Sequence, residues 1–166
     1  MRYLLDANTF IQAHRTYYHM KICPGYWEWL DQQCAQGRLV SIDFVQKELT
    51  DGKDKLAEWA KYRDEFFLAI SDDETQAQFG SVAAHVMTLK HMRPGTHEEF
   101  LDCADPWLVA KAMALPGITV VTHETFDPNI RKKIKLPNIC RDFDVPFINT
   151  FELLKELEAE FILHQK

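Results

Sequence analysis

Short, largely apolar runs alternate with longer stretches of helical spacing along this 166-residue chain, and that alternation limits the fold more than any other feature. Residues 2–5 (Arg-Tyr-Leu-Leu), 39–42 (Leu-Val-Ser-Ile) and 118–122 (Ile-Thr-Val-Val-Thr) lack a regular wet face. Strands covered on both sides by helices read this way, whereas a strand with one solvated face alternates. Such runs separated by helical patterns form βαβ units and a parallel sheet. Residues 67–70 add a third, edge-like strand. Residues 145–148 add a last one, whose Pro146 places it at an edge or a strand start. The length fits one domain, 1–166, with enough chain to bury a core without staples.

The intervening segments predict helices over residues 8–18, 26–36, 44–50, 54–67, 71–91, 97–103, 106–114 and 150–164. Asp43 is placed to cap the third, and Asp105-Pro106 opens the seventh as an N-cap acid before a first-turn proline. Asn149 with Glu152 makes a box-like start for the last. Gly37 and Pro116-Gly117 are terminators. In the helix at 71–91, Phe79, Val82, Ala83 and Val86 form the buried stripe. Residues 123–136 read as a polar loop with a basic patch. Trp27, Trp29, Trp59 and Trp107 are expected as core or interface anchors.

Hydrophobic residues at 46% and charged residues at 27% describe a globular domain. A net charge of -6 and a pI near 5.6 differ from those of a constitutive basic nucleic-acid binder. They leave a nuclease open, because part of the negative charge would be its site. Cys23, Cys34, Cys103 and Cys140 contain no C-x-x-C pair, which removes a zinc ribbon or redox motif and leaves reduced thiols. An acid follows Met1 too early for a signal peptide, and no apolar run approaches the ~20 residues of a membrane span. The expected protein is soluble and cytoplasmic, with no membrane partner.

Four acids fall where an open parallel sheet would gather them, beyond the carboxyl ends of its strands. Asp6 ends the first strand. Glu48 rides the helix after the second. Asp105 opens the helix before residues 118–122, and Glu124 follows that strand. Each has a plain alternative: Asp6 and Asp105 as helix caps, Glu48 and Glu124 as solvated side chains. Asp102 and Asp127 are substitutes nearby. Together the four would repel one another unless a divalent cation neutralised them, and oxygen-only donors suit Mg²⁺ or Mn²⁺ better than Zn²⁺. Asn8 and Thr122 stand where an amide and a hydroxyl would orient a carboxylate or a metal-bound water.

The stretches Tyr3-Leu4-Leu5-Asp6-Ala7-Asn8, Val45-Gln46-Lys47-Glu48-Leu49, Asp105-Pro106-Trp107-Leu108-Val109-Ala110-Lys111-Ala112 and Val120-Val121-Thr122-His123-Glu124-Thr125-Phe126 resemble the PIN domain family, especially toxin ribonucleases of the VapC kind. The likeness runs from the first strand to about Ile148. It implies a Rossmann-like α/β/α sandwich with strand order 3-2-1-4-5. It also implies Mg²⁺- or Mn²⁺-dependent cleavage of single-stranded RNA, a cognate antitoxin and a homodimer. Asp6, Glu48 and Asp105 would take the three principal acid places and Glu124 the fourth, where the family more often has Asp. Residues 20–37 and 71–91 look extended against the shortest members.

On that chemistry, one or two hydrated cations would hold the scissile phosphate and lower the pKa of the attacking water. Asp6 and Asp105 would hold the catalytic metal. Glu48 and Glu124 would bind a second or position the water, and His123 is a candidate general acid. Phosphate contacts would come from residues 130–135, with Arg131, Lys132 and Lys133, from residues 90–93, and from Lys111. A PIN-like interaction or RNA-binding module that does not cleave is the alternative. A phosphotransferase is weakened because Asp6-Ala7-Asn8 lacks a second Asp.

Overall fold

The computed structural model describes residues 1–163. Five parallel strands form one sheet: β1 (Arg2–Leu5), β2 (Leu39–Ile42), β3 (Phe67–Leu68), β4 (Ile118–Val121) and β5 (Phe147–Ile148). Their spatial order is β3-β2-β1-β4-β5, the PIN-like order that the resemblance implied. β2 and β4 are buried at every position, as their unbroken apolar character requires. Register is set by Tyr3 opposite Leu39 and Thr119, and by Leu5 opposite Val121. The buried Ser41 hydroxyl ties β2 to β1 by donating to the Leu5 carbonyl at 2.6 Å.

Among the described residues the helices are α1 (Ala7–Arg15), α2 (Pro24–Ala35), α3 (Asp43–Thr50), α4 (Lys55–Lys61), α5 (Asp73–Thr88), α6 (Thr96–Leu101), α7 (Asp105–Ala114), α8 (Leu136–Asp142) and α9 (Thr150–Glu156). One group, α1, α3 and α4, packs together, and α5 to α8 form another centred on α7. Phe10 is fully buried against Trp59, Phe66 and Phe67. Phe79 of α5 stacks on Trp107 of α7 with ring centroids 3.7 Å apart. Gly37 and Gly117 hold φ near +69° and +79° after α2 and α7, where a left-handed residue turns the chain into β2 and β4.

Several expectations change. The helix expected over 54–67 stops at Lys61 and is followed by a 3₁₀ turn, Asp64–Phe66. Arg63 explains the break: it grips Asp31 through two hydrogen bonds of 2.6 and 2.8 Å and lies over the Trp59 ring. Those contacts reach 32 residues along the chain and outweigh local helical propensity. Asp43 does not cap α3; it is the first helical residue, and Ile42 holds the cap position. Asp105 likewise lies inside α7, with Ala104 at the cap and no side-chain cap bond. α8 lies in a stretch where no helix was expected. α5 is shorter than 71–91 and is capped by Asp72, which accepts from Thr75 N–H at 2.9 Å. Asn149 and Glu152 form the expected reciprocal box at α9. The helix expected to reach 164 ends at Glu156, and His164 lies outside the described residues. No helix among the described residues is long and apolar enough to cross a membrane.

Candidate functional site: an acidic pocket at the strand ends

The ladder between β1 and β4 builds the floor of the pocket. Asp6 N–H continues it by donating to the Val121 carbonyl at 3.0 Å, which sets Asp6 beside Thr122. The Thr122 hydroxyl donates to Asp6 Oδ2 at 2.9 Å and accepts the Glu124 N–H at 3.2 Å. One hydroxyl therefore joins two acids from different strand ends. Asp6 Oδ1 also receives the backbone N–H of Asn8 at 3.4 Å, so Asp6 both caps α1 and faces the pocket. The exposed residue Asn8 contributes this backbone group to Asp6.

Glu48 reaches across from α3 and accepts the backbone N–H of Ala104 at 3.1 Å, at the start of α7. Because Asp105 is not spent as a cap, its carboxyl is left to the pocket. Glu124 is held by its own downstream segment: Lys133 Nζ donates to Oε1, and the backbone N–H of Leu136 donates to Oε2 at 2.9 Å. Lys133 and Asp105 share the lining of a cavity of about 50 Å³ with Cys103, Phe100 and Ile134.

Asp6 and Asp105 each feel the charges of Glu48 and Glu124. Burial lifts the Asp6 carboxyl from 3.8 to about 6; the charges of Glu124 and Glu48 add to this, and Thr122 and the Asn8 N–H oppose it. Asp105 is raised well above its ordinary range, first by burial and then by the charges of Asp6, Glu124 and Glu48, with Lys133 opposing. Burial also raises Glu48, against the Ala104 N–H. Burial alone would lower the Lys133 ammonium, but its bond to Glu124 and the charges of Glu124 and Asp105 outweigh that and raise it. The Cys103 thiol is pushed up to about 12 by burial and the neighbouring Asp105 charge. This thiol stays protonated at neutral pH and is a poor nucleophile.

Oxygen donors of this kind suit Mg²⁺ or Mn²⁺ by type, but their disposition does not. Among the described residues, no three His, Cys, Asp or Glu side chains are grouped so as to hold one ion. Both Glu124 oxygens are engaged by residues 133 and 136, Glu48 is turned to Ala104, and Asp6 is tied to Thr122 and Asn8. The acids thus share one electrostatic environment without forming a coordination sphere.

Other expected residues lie elsewhere. Lys111 is buried, and its Nζ donates to Asp72 Oδ2 at 2.6 Å and the Ala69 carbonyl at 2.9 Å, which takes it out of reach of a phosphate. Lys133 is exposed like its two neighbours, but its ammonium is held by Glu124. His123 pairs with the Thr150 hydroxyl at 3.0 Å, beside α9, and its imidazole is lowered by burial. Asp127 locks its loop, accepting from Asn129 N–H and exchanging two backbone bonds with the Asn138 amide. Asp102 is the exposed C-cap of α6. Arg131 and Lys132 are exposed, as are Lys90 and Arg93. The Arg93 N–H donates to the Arg131 carbonyl at 2.8 Å, which joins the two basic stretches beside the pocket. Sequence reasoning treated these as separate patches, and no local signal links residues 38 positions apart.

A family model described as Domain of unknown function (DUF4411) matches residues 3–161. The chain belongs to this family. The DUF4411 match takes in β1 from Tyr3 onward, the other four strands and Asp6, Glu48, Asp105 and Glu124. No curated protein and no solved structure matches the chain. The PIN-like character of this DUF4411 member therefore rests on its sheet topology.

Proposed function

We propose that this protein is a PIN-like RNA-binding module whose contact surface is the joined basic edge beside the acidic pocket. The backbone bond between Arg93 and Arg131 carries this reading, because it concentrates cationic side chains at one place on a chain of net charge -6. Arg93, Arg131 and Lys132 are exposed. Their guanidinium and ammonium groups are suited to phosphate oxygens, and the edge lies beside the strand ends, where open parallel sheets bind ligands. Binding through phosphates releases counterions, so affinity should fall steeply with salt. Fluorescence anisotropy with a labelled single-stranded RNA tests this. The double variant Arg131→Glu/Lys132→Glu should bind at least about tenfold more weakly. RNA binding that is absent, or indifferent to both salt and charge reversal, rejects the reading.

A second reading, an Mg²⁺- or Mn²⁺-dependent ribonuclease, draws on the convergence of Asp6, Glu48, Asp105 and Glu124. Its difficulty is that no three donors are grouped to hold an ion among the described residues. Cleavage of RNA that requires Mn²⁺ and disappears in Asp105→Asn, with RNA binding retained, would favour it. Uncut RNA at saturating Mn²⁺ would leave the binding module alone.

A further inference from the structure

Two aromatic rings stand open to solvent at the exit of the sheet. Tyr17, in the turn after α1, is 73% exposed, and Phe151, in the first turn of α9, is 46% exposed. Their ring centroids are 6.2 Å apart at 69°, and Phe151 meets the His123 imidazole at the same distance and angle. Rings set edge to face leave flat π surface uncovered. Beneath them lies a small cavity of about 50 Å³, whose lining includes Gln12, Thr16, His123 and Thr150. Rings this exposed gain little from burial, so holding α1 to α9 does not account for them.

The chain joins this slot to the acidic pocket. α1 is capped by Asp6 at one end and reaches the slot through Thr16 at the other. At the exit of β4, consecutive side chains part: His123 pairs with Thr150 in the slot at 3.0 Å, and Glu124 takes Lys133 from the basic segment. The slot and the basic edge therefore adjoin the same strand end. The slot's own lining carries an amide, hydroxyls and an imidazole that burial lowers, hence one that is uncharged at neutral pH. Flat π surface beside uncharged donors and acceptors matches a nucleobase, which offers a π face and a hydrogen-bonding edge. It does not match a phosphate, which the exposed Arg131 and Lys132 suit.

We propose that Tyr17 and Phe151 form a nucleobase-binding site, on which an unpaired base stacks while neighbouring phosphates lie on the basic edge. The cavity is smaller than a base, so the base rests on the open ring faces, and the exposed Gln12 amide stands beside it with a donor and an acceptor for its edge. In a duplex each base is already stacked on both faces and leaves the rings nothing to hold. This rests on the RNA-binding reading above and adds a second, uncharged contact to it.

Fluorescence anisotropy of the full chain with a labelled single-stranded RNA, and with a duplex of the same length, tests the site, with circular dichroism to check folding. The double variant Tyr17→Leu/Phe151→Leu keeps apolar cover and removes the π faces. It should bind the single strand at least about tenfold more weakly and the duplex within about threefold of the wild type. Tyr17→Phe, which keeps the ring, should stay within about threefold on both, and serves with Phe151→Leu alone if the double variant does not fold. Unchanged single-strand affinity in the leucine variant, or an equal loss on the duplex, overturns the site and leaves the basic edge standing. Binding that is lost with the rings but indifferent to salt and to Arg131→Glu/Lys132→Glu overturns the edge and leaves the site. A wild type that sediments as a dimer, with a monomeric leucine variant, would assign the rings to a contact between copies and overturn the site as well.

Discussion

Two lysine–carboxylate pairs in this molecule have opposite construction. At the seam between α5 and α7, Lys111 is the buried partner, 9% exposed, and Asp72 is the wet one, 45% exposed. One ammonium meets one carboxylate and one carbonyl there, so the charge closes on itself. The Lys111 bond, followed by the Thr75 N–H, holds the Asp72 carboxyl well below its usual range. At the pocket, the acid is the more covered partner and the lysine is wet, and Asp6, Glu48 and Asp105 add charge that one ammonium does not balance. The first pair is a fastening. The second is an unbalanced site that holds on to protons, because burying like charges together is costly unless something neutralises them.

The largest effect should come from breaking the balanced pair. Asp72→Ala strands a buried ammonium and removes the α5 cap, at a cost of about 3 kcal/mol in urea unfolding. A loss below about 1 kcal/mol would mean that Lys111 relaxes outward and that the two pairs are alike. Next is the pH response of the unbalanced site. With a folded pKa of about 6 against an ordinary 3.8, Asp6 loses its proton first in the unfolded chain. Its contribution is therefore intact below about pH 4 and lost as pH rises through about 6, a fall on the order of 3 kcal/mol. Asp6→Asn should flatten that part of the stability profile; parallel profiles for the two proteins would show that Asp6 is not desolvated. Thr122→Val removes the hydroxyl shared by Asp6 and Glu124. It should cost about 1 kcal/mol and move the fall to higher pH, since a donor to the charged form is gone. The smallest effect belongs to the outer edge, where Lys132→Glu should change stability by less than about 0.5 kcal/mol while weakening RNA binding.

What could be read from the sequence follows the range of the forces involved. β2 was legible to the residue because its four positions are apolar enough to be buried on both faces, and the α9 box because Asn149 and Glu152 act within one turn. The places of Asp6 and Glu124 followed from the strands that carry them. α8 had a usable signal that went unread: Pro137 in the first turn, with Leu136, Ile139 and Cys140 at spacings of three and four. The break after α4 had none, since it depends on Arg63 finding Asp31. Lys111 and Lys133 look alike in sequence, each a basic residue close to a proposed acid. Only packing separates them, because a helix face carries Lys111 to Asp72 and a loop reversal carries Lys133 to Glu124. The caps expected at Asp43 and Asp105 were displaced by one residue, which frees Asp105 for the pocket and turns Asp43 towards the Ile70 N–H.

Both outer rows of the sheet, β3 and β5, are only two residues long, and Pro146 precedes β5. A foreign strand meeting either row finds too few free amide and carbonyl groups to propagate a ladder, and at β5 it meets a proline that donates none. The molecule can thus keep an apolar parallel sheet at its centre and still resist edge-to-edge polymerisation when crowded.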